Sequence, residues 1–314
     1  MYNLITPTDT ANIQGGENLT RTFMFEFLRK RLLSVGAFLL ALITFASFMM
    51  TGAAAAGGYA FPAGSSLNVS VTLDGKAILD GEAAIINSVT YVPLRSISEA
   101  ADADSIEWNA KTNTATVKKG NTVISVRNGG YYIEANGRYF YTPQPVLNIS
   151  DRLFVPIRPI ASALCLDLEW ISSTRTVSLK TTSRTLVSGS VYYDANDLYW
   201  LSRIISAEAS GESLIGQIAV GNVVLNRVAS RQYPNTVYGV IFDRAGGVQF
   251  SPVSMGTIYN KPTASSVIAA KICLEGYSVS DTILFFMNPR IATNNWISKN
   301  RPFAFRIGNH DFYN

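Results

Sequence analysis

The sequence predicts an α+β protein with more than one domain, in which an α/β repeat module precedes a mainly α-helical domain. Three observations predict this fold class. The chain of 314 residues is long enough for about two domains. A strand–helix–hairpin pattern occurs in two copies in the middle of the chain, and apolar residues recur at helical spacing in the C-terminal part. Because 47% of the residues are hydrophobic and 15% are charged, most of the chain is expected to pack into cores.

The N-terminal segment, residues 1–56, is predicted to be a signal peptide. Residues 29–31 are basic, residues 32–50 are apolar, and residues 51–56 are small. This order is typical of a secretory signal, for which Met24 is the more typical start. An apolar stretch of about 19 residues is also long enough to span a bilayer, so an uncleaved anchor is the alternative. In both cases the rest of the chain is expected outside the cytoplasm.

Two segments in the middle of the chain share one pattern. In residues 90–97 and 153–160 a short strand ends at a proline and a helix follows, and each copy continues to a Glu-Trp pair and a strand rich in Thr and Val. Upstream, Asp74-Gly75 and Asn136-Gly137 are typical of tight hairpin turns. Each helix is expected to bury one apolar face, which comprises Leu94, Ile97 and Ala101 in the first copy and Ile157, Ile160, Ala161 and Leu164 in the second.

Residues 67–181 resemble the copper amine oxidase N-terminal-like domain, on the strength of their Val-Pro-Leu-Arg and Val-Pro-Ile-Arg cores. The resemblance implies a wall-binding or spacer module, and a scaffold without a ligand is the alternative. The module has no histidine, which excludes a copper site built from imidazoles. Four tyrosines could stack on sugars or pack in a core: Tyr131, Tyr132, Tyr139 and Tyr141.

Glu208 is the candidate acid of the C-terminal domain. Linkers are expected at residues 57–66 and 182–195, and the domain at residues 196–314. Its first helix is predicted to begin near Asp194 and to break at Ser210-Gly211, with Glu208 in the apolar half of its last turn. Desolvation and the helix dipole both disfavour the ionised carboxylate there, as a proton donor requires. On this pattern alone, a structural glutamate bonded to backbone donors is the alternative.

The residues around and after Glu208 resemble the SleB-like cell wall hydrolases, the spore cortex-lytic enzymes and their relatives. The resemblance spans residues 196–314 and rests on motifs in the family's order at residues 206–212, 216–228, 233–236, 239–241, 247–252, 285–289, 294–296 and 307–310. It implies a lysozyme-like fold around a substrate groove, with Leu214–Ala229 as a buried central helix. It also implies that Glu208 is the catalytic residue and that the protein is secreted or lies in the cell wall.

The implied reaction is cleavage of the peptidoglycan glycan strand between N-acetylmuramic acid and N-acetylglucosamine. Most glycosidases use a second carboxylate. No second acidic residue follows a pattern, and the candidates are Glu212, Asp243, Glu275, Asp281 and Asp311. A lytic transglycosylase manages with one acid/base, because the muramic acid C6 hydroxyl attacks its own anomeric carbon and forms a 1,6-anhydro product. The resemblance and the lone glutamate therefore favour a lytic transglycosylase, and a hydrolytic muramidase stays open.

Five further residues are expected to bind substrate, with packing as the alternative for each: Glu212, Gln249, Phe250, Asn288 and Trp296. His310, the only histidine, is expected to make a structural hydrogen bond. With one histidine, a zinc site of several imidazoles is excluded, and we expect neither a metal nor a cofactor. Cys165 and Cys273 are expected to be buried thiols.

The chain carries a formal net charge of +4, and its 26 lysines and arginines are dispersed. This suits an anionic polymer such as peptidoglycan better than nucleic acid, which needs a dense basic face. Two rivals remain: a stem-peptide amidase or peptidase built on Cys273 and His310, and a non-catalytic wall-binding protein with a degenerate hydrolase domain. Whether the target is spore cortex or vegetative wall stays open, as does control by a regulatory protein partner.

Overall fold

The computed structural model describes residues 59–79 and 81–314, so the predicted signal peptide lies outside the described residues. Within these ranges, no helix combines the length and the apolar character that crossing a membrane requires. The described chain consists of a β-rich N-terminal domain and a helical C-terminal domain. The predicted α+β architecture with more than one domain is therefore confirmed.

The β-rich domain contains three antiparallel or mixed sheets. Its strands are β1 (Ser70–Leu73), β2 (Lys76–Leu79), β3 (Ala84–Ile86), β4 (Val89–Pro93), β5 (Ser105–Asn109), β6 (Thr114–Lys119), β7 (Thr122–Arg127), β8 (Tyr132–Ala135), β9 (Arg138–Tyr141), β10 (Leu147–Ile149), β11 (Arg152–Pro156), β12 (Asp167–Ile171) and β13 (Thr176–Lys180), and its helices are α1 (Leu94–Ala100) and α2 (Ile157–Ala163). The sheet orders are β12-β13-β1-β2, β10-β11-β4-β3 and β5-β6-β7-β8-β9.

Proline ends a strand and begins a helix at two places in this domain. Pro93 closes β4 and precedes α1, and Pro156 closes β11 and precedes α2. Proline has no N–H to extend a strand ladder, and its fixed φ suits the entry to a helix. The predicted apolar faces of both helices are buried, and Ile97 and Ile160 on these faces have no exposed surface. Because β4 pairs with β11, the two helices enter one shared core.

The two predicted hairpin turns adopt the expected backbone. Asp74 and Gly75 have φ values of 49° and 80°, and Asn136 and Gly137 have φ values of 48° and 80°. Two successive positive φ values are the mark of a type I′ turn, which connects β1 to β2 and β8 to β9 with the twist that antiparallel strands need. The Asn136 side chain also accepts a hydrogen bond from the backbone N–H of Val123 at 2.9 Å, which ties the second turn to the sheet.

The helical domain is arranged around one buried helix. Its elements are α3 (Gly189–Tyr192), α4 (Ala195–Ala209), α5 (Leu214–Ala229), α6 (Val237–Phe242), α7 (Ser251–Met255), a 3₁₀ turn (Thr257–Tyr259), α8 (Ala264–Leu274), β14 (Phe285–Met287), α9 (Trp296–Asn300), β15 (Phe303–Ile307) and β16 (His310–Tyr313). As predicted, α5 is buried on nearly all sides. The last three strands form a sheet of order β14-β16-β15.

Glycine at position 221 lets α5 lie close to both α4 and α8. A Cβ atom there would lie 2.7 Å from Sγ of Cys273 and 2.8 Å from Cδ1 of Ile205. Asn222 and Asn226 are two of the buried polar residues of the same helix, and their amides donate to the carbonyl oxygens of Tyr277 and Ile283. The helix core therefore also fixes the loop that follows α8.

The two domains are joined by a buried ion pair. Arg138, after the turn between β8 and β9, donates to both carboxylate oxygens of Glu275 at 2.7 and 2.6 Å. The side chains are only 13% and 6% exposed, so both charges are largely removed from water. The Tyr193 hydroxyl donates to the same carboxylate at 2.7 Å, and Lys271 donates to the carbonyl oxygen of Gly137 at 3.2 Å. The bidentate geometry and the extra donor satisfy the buried carboxylate.

Part of the predicted linker is built into this junction. Gly189 donates to the carbonyl oxygen of Asn136 at 2.8 Å, and a Cβ atom on Gly189 would lie 2.4 Å from the carbonyl oxygen of Gly137. Cys165 and Cys273 are not joined by a disulfide. Cys273 is buried as expected, but Cys165 is only half-buried, because it follows α2 in a left-handed conformation with a φ of 59°.

Replacing Arg138 with methionine is expected to destabilise the protein by about 3 kcal/mol, because it leaves the Glu275 carboxylate buried without its cation. The measurement is urea denaturation of the variant and the wild type. The control is Arg95→Met, which breaks an ion pair whose side chains are 62% and 59% exposed and should change stability little. Equal effects of the two substitutions would contradict a buried junction.

Candidate active site

A cleft of about 810 Å³ opens beside the last turn of α4. Its walls come from α4, from residues 249–261 around α7, and from residues 286–297 after β14, with His310 of β16 contributing from the C-terminal sheet. The volume lies in the range of known ligand sites. The lining includes Arg203, Ser206, Glu208, Arg227, Gln249, Phe250, Lys261, Asn288 and His310.

Glu208 lies in this cleft at the end of α4. The helix is capped at its start by Asp194, whose side chain accepts from the backbone N–H of Asp197, and it ends at Ala209, as the sequence predicts. Burial raises the pKa of Glu208 from 4.5 to about 7. Among the described residues no donor forms a hydrogen bond to its carboxylate, so the structural alternative has no partner to support it. The group can therefore hold a proton near neutral pH and give it up.

Glu208 is the only acidic residue among the described residues that line the cleft. Of the other acidic candidates, Glu275 lies in the domain junction, and Asp311 is held by Arg306 through two hydrogen bonds. The side chain of Asp243 accepts from the backbone N–H of Ala245 two residues later. Asp281 does not line the cleft either. Within residues 59–79 and 81–314, no second carboxylate is therefore placed to serve as base or nucleophile beside Glu208.

Three of the residues expected to bind substrate line the cleft. Phe250 is only 3% exposed and forms part of its floor. The Gln249 amide donates to the carbonyl oxygen of Ala245 at 3.1 Å, and its oxygen accepts from Arg227 at 3.3 Å. The Asn288 side-chain oxygen accepts from the backbone N–H of Arg290 at 3.0 Å, which leaves its amide N–H groups available.

The other two expected binding residues do not line the cleft. Glu212 accepts hydrogen bonds from the backbone N–H and the side-chain amide of Asn309 at 3.2 and 2.8 Å. Burial acts to raise the pKa of Glu212, but these hydrogen bonds outweigh it and the pKa is lowered. Trp296 is 48% exposed and packs against the guanidinium of Arg301, whose Cζ lies 5.2 Å from its ring centroid. The two hydrogen bonds from Asn309 to the Glu212 carboxylate fix the turn before His310.

The cleft lining also contains three basic residues that the sequence did not indicate as site residues: Arg203, Arg227 and Lys261. Arg227 is 5% exposed, donates from Nε to the carbonyl oxygen of Leu284 at 2.8 Å, and lies near the rings of Phe250 and Phe285. The Arg203 guanidinium stacks 3.6 Å from the ring centroid of Tyr199, and its buried Nε has no partner among the described residues. With Glu208 protonated, the cleft is cationic and suits an anionic substrate.

His310 differs from its expected role as a structural hydrogen-bonding group. Its side chain is part of the cleft lining, and its Nδ1 atom is buried with no hydrogen-bond partner in the described chain. Burial lowers the pKa of His310, against the opposing effect of the Glu212 carboxylate, so the imidazole is neutral at neutral pH. Its ring rests edge-on against Phe286 at 5.4 Å. Because buried polar atoms without a partner are rare in folded proteins, the imidazole of His310 is a candidate for a functional role in the cleft.

Cys273 is not part of this site. Its thiol is buried inside the helical domain and donates to the carbonyl oxygen of Ile218. It does not appear among the residues of the cleft, whereas His310 does. The amidase or peptidase alternative therefore has no thiol in the described cleft to act as a nucleophile.

Two family models match parts of the chain. Residues 211–313 match the model described as Cell Wall Hydrolase, a match that begins three residues after Glu208. Residues 72–179 match the model of the copper amine oxidase N-terminal domain. The two matched ranges correspond to the helical and the β-rich domain, so both resemblances found in the sequence are confirmed.

The chain is similar to spore cortex-lytic enzymes. It is 38% identical over 120 residues to the one from Bacillus cereus and 38% identical over 120 residues to the one from Bacillus subtilis. These matches cover 38% of this chain in both cases, and 45% and 38% of the relatives, so the chain spans less than half the length of these relatives.

The chain is similar to two solved structures. The catalytic domain of the germination-specific lytic transglycosylase SleB from Bacillus anthracis is 36% identical, and the match covers 41% of this chain and 100% of that chain with a TM-score of 0.36. The catalytic domain of the Bacillus cereus SleB protein is also 36% identical, with coverage of 43% and 100% and a TM-score of 0.35.

The substitution Glu208→Gln is expected to stabilise the protein at pH 8 by up to about 3 kcal/mol. The folded state holds the Glu208 proton up to about pH 7, whereas the unfolded state loses it near 4.5. The wild type therefore loses stability as the pH rises from 4.5 to 7, and the neutral glutamine does not. Urea denaturation from pH 4 to pH 8 measures the difference, which should vanish at pH 4.

The control for this measurement is Glu212→Gln, for which the opposite sign is expected. Because the pKa of Glu212 is lowered in the folded state, its stabilising contribution is present at pH 8 and is lost as the pH falls. The glutamine variant at position 212 should be less stable than the wild type at pH 8. A Glu208→Gln variant that shows no gain at pH 8 would contradict a desolvated carboxyl group.

Proposed function

Because the chain carries a SleB-like cell wall hydrolase domain behind a copper amine oxidase N-terminal-like domain, we propose that it is an exported enzyme that cleaves peptidoglycan glycan strands. The observation that carries this proposal is the cleft itself, in which a single carboxyl group with a raised pKa is surrounded by basic side chains. The proposed place of action is the cell wall or the spore cortex, reached through the signal peptide at residues 1–56.

We propose a lytic transglycosylase reaction between N-acetylmuramic acid and N-acetylglucosamine. Protonated Glu208 gives its proton to the glycosidic oxygen as the bond to the anomeric carbon breaks. The carboxylate then accepts the proton of the muramic acid C6 hydroxyl, whose oxygen bonds to the anomeric carbon and closes the 1,6-anhydro ring. Glu208 is regenerated in its protonated form, no water is consumed, and no second carboxylate is needed. The absence of another acidic residue from the described lining supports this reaction over one with two carboxylates.

Substrate contacts are proposed for the polar and aromatic residues of the lining. Phe250 forms the apolar floor beneath the sugar. The amide of Asn288 and the neutral imidazole of His310 can form hydrogen bonds with hydroxyl or acetamido groups. Gln249 holds Arg227 in place. Glu212 is proposed as a positioning residue that fixes Asn309 beside His310.

We also propose an architecture for each of the two domains. Residues 67–181 form two copies of one strand–helix–hairpin unit, supported by the side-by-side arrangement of β4 with α1 and β11 with α2. Residues 196–314 form a lysozyme-like catalytic domain, supported by the buried central helix α5 and the cleft at the end of α4.

Digestion of purified peptidoglycan is expected to release 1,6-anhydro-muropeptides with the wild type and none with Glu208→Gln. The measurement is mass spectrometry of the products from vegetative wall and from spore cortex, and the better substrate identifies the target. The matched control is Glu99→Gln, which removes an exposed carboxylate of the β-rich domain outside the cleft lining and should release the same products as the wild type. Products with reducing-end sugars would make the enzyme a muramidase. Equal products from the wild type and Glu208→Gln, or none from either, would favour the wall-binding protein.

The substitution His310→Phe is expected to lower the rate of peptidoglycan cleavage about tenfold, the typical effect of losing one hydrogen bond to a substrate. Its melting temperature should change little, because Nδ1 has no hydrogen bond to lose within the described chain and an aromatic ring still packs on Phe286. The control is His310→Gln, which keeps a polar atom in the cleft and should retain more activity. A large loss of stability with unchanged activity would indicate a structural role.

A further inference from the structure

The five-stranded sheet of the β-rich domain has an inner face and an outer face. Alternation along the strands sends Val117, Ile124 and Ile133 into the core. The outer face carries Thr114, Ser125, Arg127, Tyr132, Glu134 and Tyr139. Together with the loop of residues 128–130, these side chains line a pocket of about 440 Å³, here called the sheet-face pocket. None of its residues belongs to the cleft that holds Glu208.

The side chains of the sheet-face pocket combine three kinds of contact. The rings of Tyr132 and Tyr139 lie with centroids 5.3 Å apart at one end and offer aromatic surface. Ser125 supplies a hydroxyl group across the sheet from Glu134. The guanidinium of Arg127 has no ion pair or hydrogen bond within the described chain. Aromatic surface, hydroxyl groups and free N–H donors are what a sugar ring with hydroxyl, acetamido and carboxyl substituents requires.

The sheet-face pocket lies beside the domain junction. Tyr139 lines the pocket, and its ring centroid lies 5.0 Å from Nζ of Lys271 in α8. Tyr141, directly across the sheet from Tyr132, packs on Tyr277 of the helical domain with ring centroids 4.4 Å apart. The ion pair between Arg138 and Glu275 anchors the same hairpin. The pocket is therefore held in a fixed position against the helical domain, as suits a ligand long enough to reach both domains.

We propose that the sheet-face pocket is a second binding site for the glycan strand of peptidoglycan, separate from the cleft. The choice of polymer rests on the proposed function, and the chemistry of the lining supports it independently. A nucleic acid is disfavoured, because a single arginine in a pocket that also contains a glutamate provides no dense basic face. The site would hold the polymer on the β-rich domain while the helical domain cleaves it.

The first experiment measures binding without cleavage. Full chains that carry Glu208→Gln are mixed with insoluble peptidoglycan whose stem peptides have been removed, and the bound fraction gives the dissociation constant. Adding Ser125→Ala and Arg127→Ala is expected to raise this constant about tenfold, since the pocket loses two hydrogen-bonding groups. The matched control is Lys118→Ala, which removes one positive charge from the same strand face outside the pocket.

Each outcome of this experiment decides the proposal. Weaker binding with the pocket variant and unchanged binding with Lys118→Ala supports it. Equal binding by all variants overturns it, as does binding that requires the stem peptides. Ser125 and Arg127 lie on the outer face, so thermal melts of all variants should coincide and serve as the folding check.

A second experiment separates this site from the reaction in the cleft. In chains with an intact Glu208, the pocket variant is expected to raise KM on intact peptidoglycan several-fold with kcat unchanged, and to leave the cleavage of short soluble glycan fragments unaffected. If the wild type cleaves neither substrate, the proposed function fails, but the binding result with the Glu208→Gln chains stands by itself. An equal loss on both substrates would contradict a separate site.

Discussion

The helical domain depends on the burial of α5 on nearly all sides. Its neighbours α4 and α8 cross it closely at Gly221, where a side chain would collide with Ile205 and Cys273. Because α4 packs into the same core as this helix, its last turn emerges at a fixed place on the surface. That turn carries Glu208. The position of the candidate acid is therefore a consequence of helix packing rather than of hydrogen bonds to its own carboxylate.

The electrostatics of the cleft follow from this placement. Burial raises the pKa of Glu208 to about 7 while Arg203, Arg227 and Lys261 line the same cavity. Burial is the cause of the raised pKa, and no lowering by the three cations accompanies it. The arrangement combines a neutral proton donor with a surface that attracts anions. In the proposed reaction, Glu208 donates the proton and the basic side chains attract the anionic substrate.

Local patterns in the sequence predicted much of this molecule. Pro93 and Pro156 mark strand ends because proline lacks a donor, and the Asn136-Gly137 turn follows from the backbone freedom of those residues. Glu208 could be found because its helix has a cap, an apolar face and a clear end. These features depend on residues that lie within a few positions of one another.

The remaining features arise from contacts between distant parts of the chain. Arg138 and Glu275 are 137 positions apart, and nothing in either neighbourhood indicates the other. Arg227 lies on a helix that the sequence predicts to be buried, and only the tertiary fold brings it to the cleft. The unpartnered Nδ1 of His310 is likewise a property of its surroundings in space. Glu212 and Trp296 occupy motif positions but do not line the cleft. The position of a residue in a motif does not determine which way its side chain faces.

The close approach of Gly189 to Gly137 has a consequence for protein engineering and for the exchange of modules between proteins. Residues that belong to the linker by composition are packed against the β8–β9 turn, with no room for a side chain. A chimaera that joins a different N-terminal module after residue 193 would leave Tyr277, Glu275 and Lys271 without their partners and expose an apolar and charged face of α8. A graft that keeps this helix covered has to carry the β8–β9 hairpin and residues 189–193 with it. Recombination at the compositional boundary is thus disfavoured by the fold, although the sequence there looks permissive.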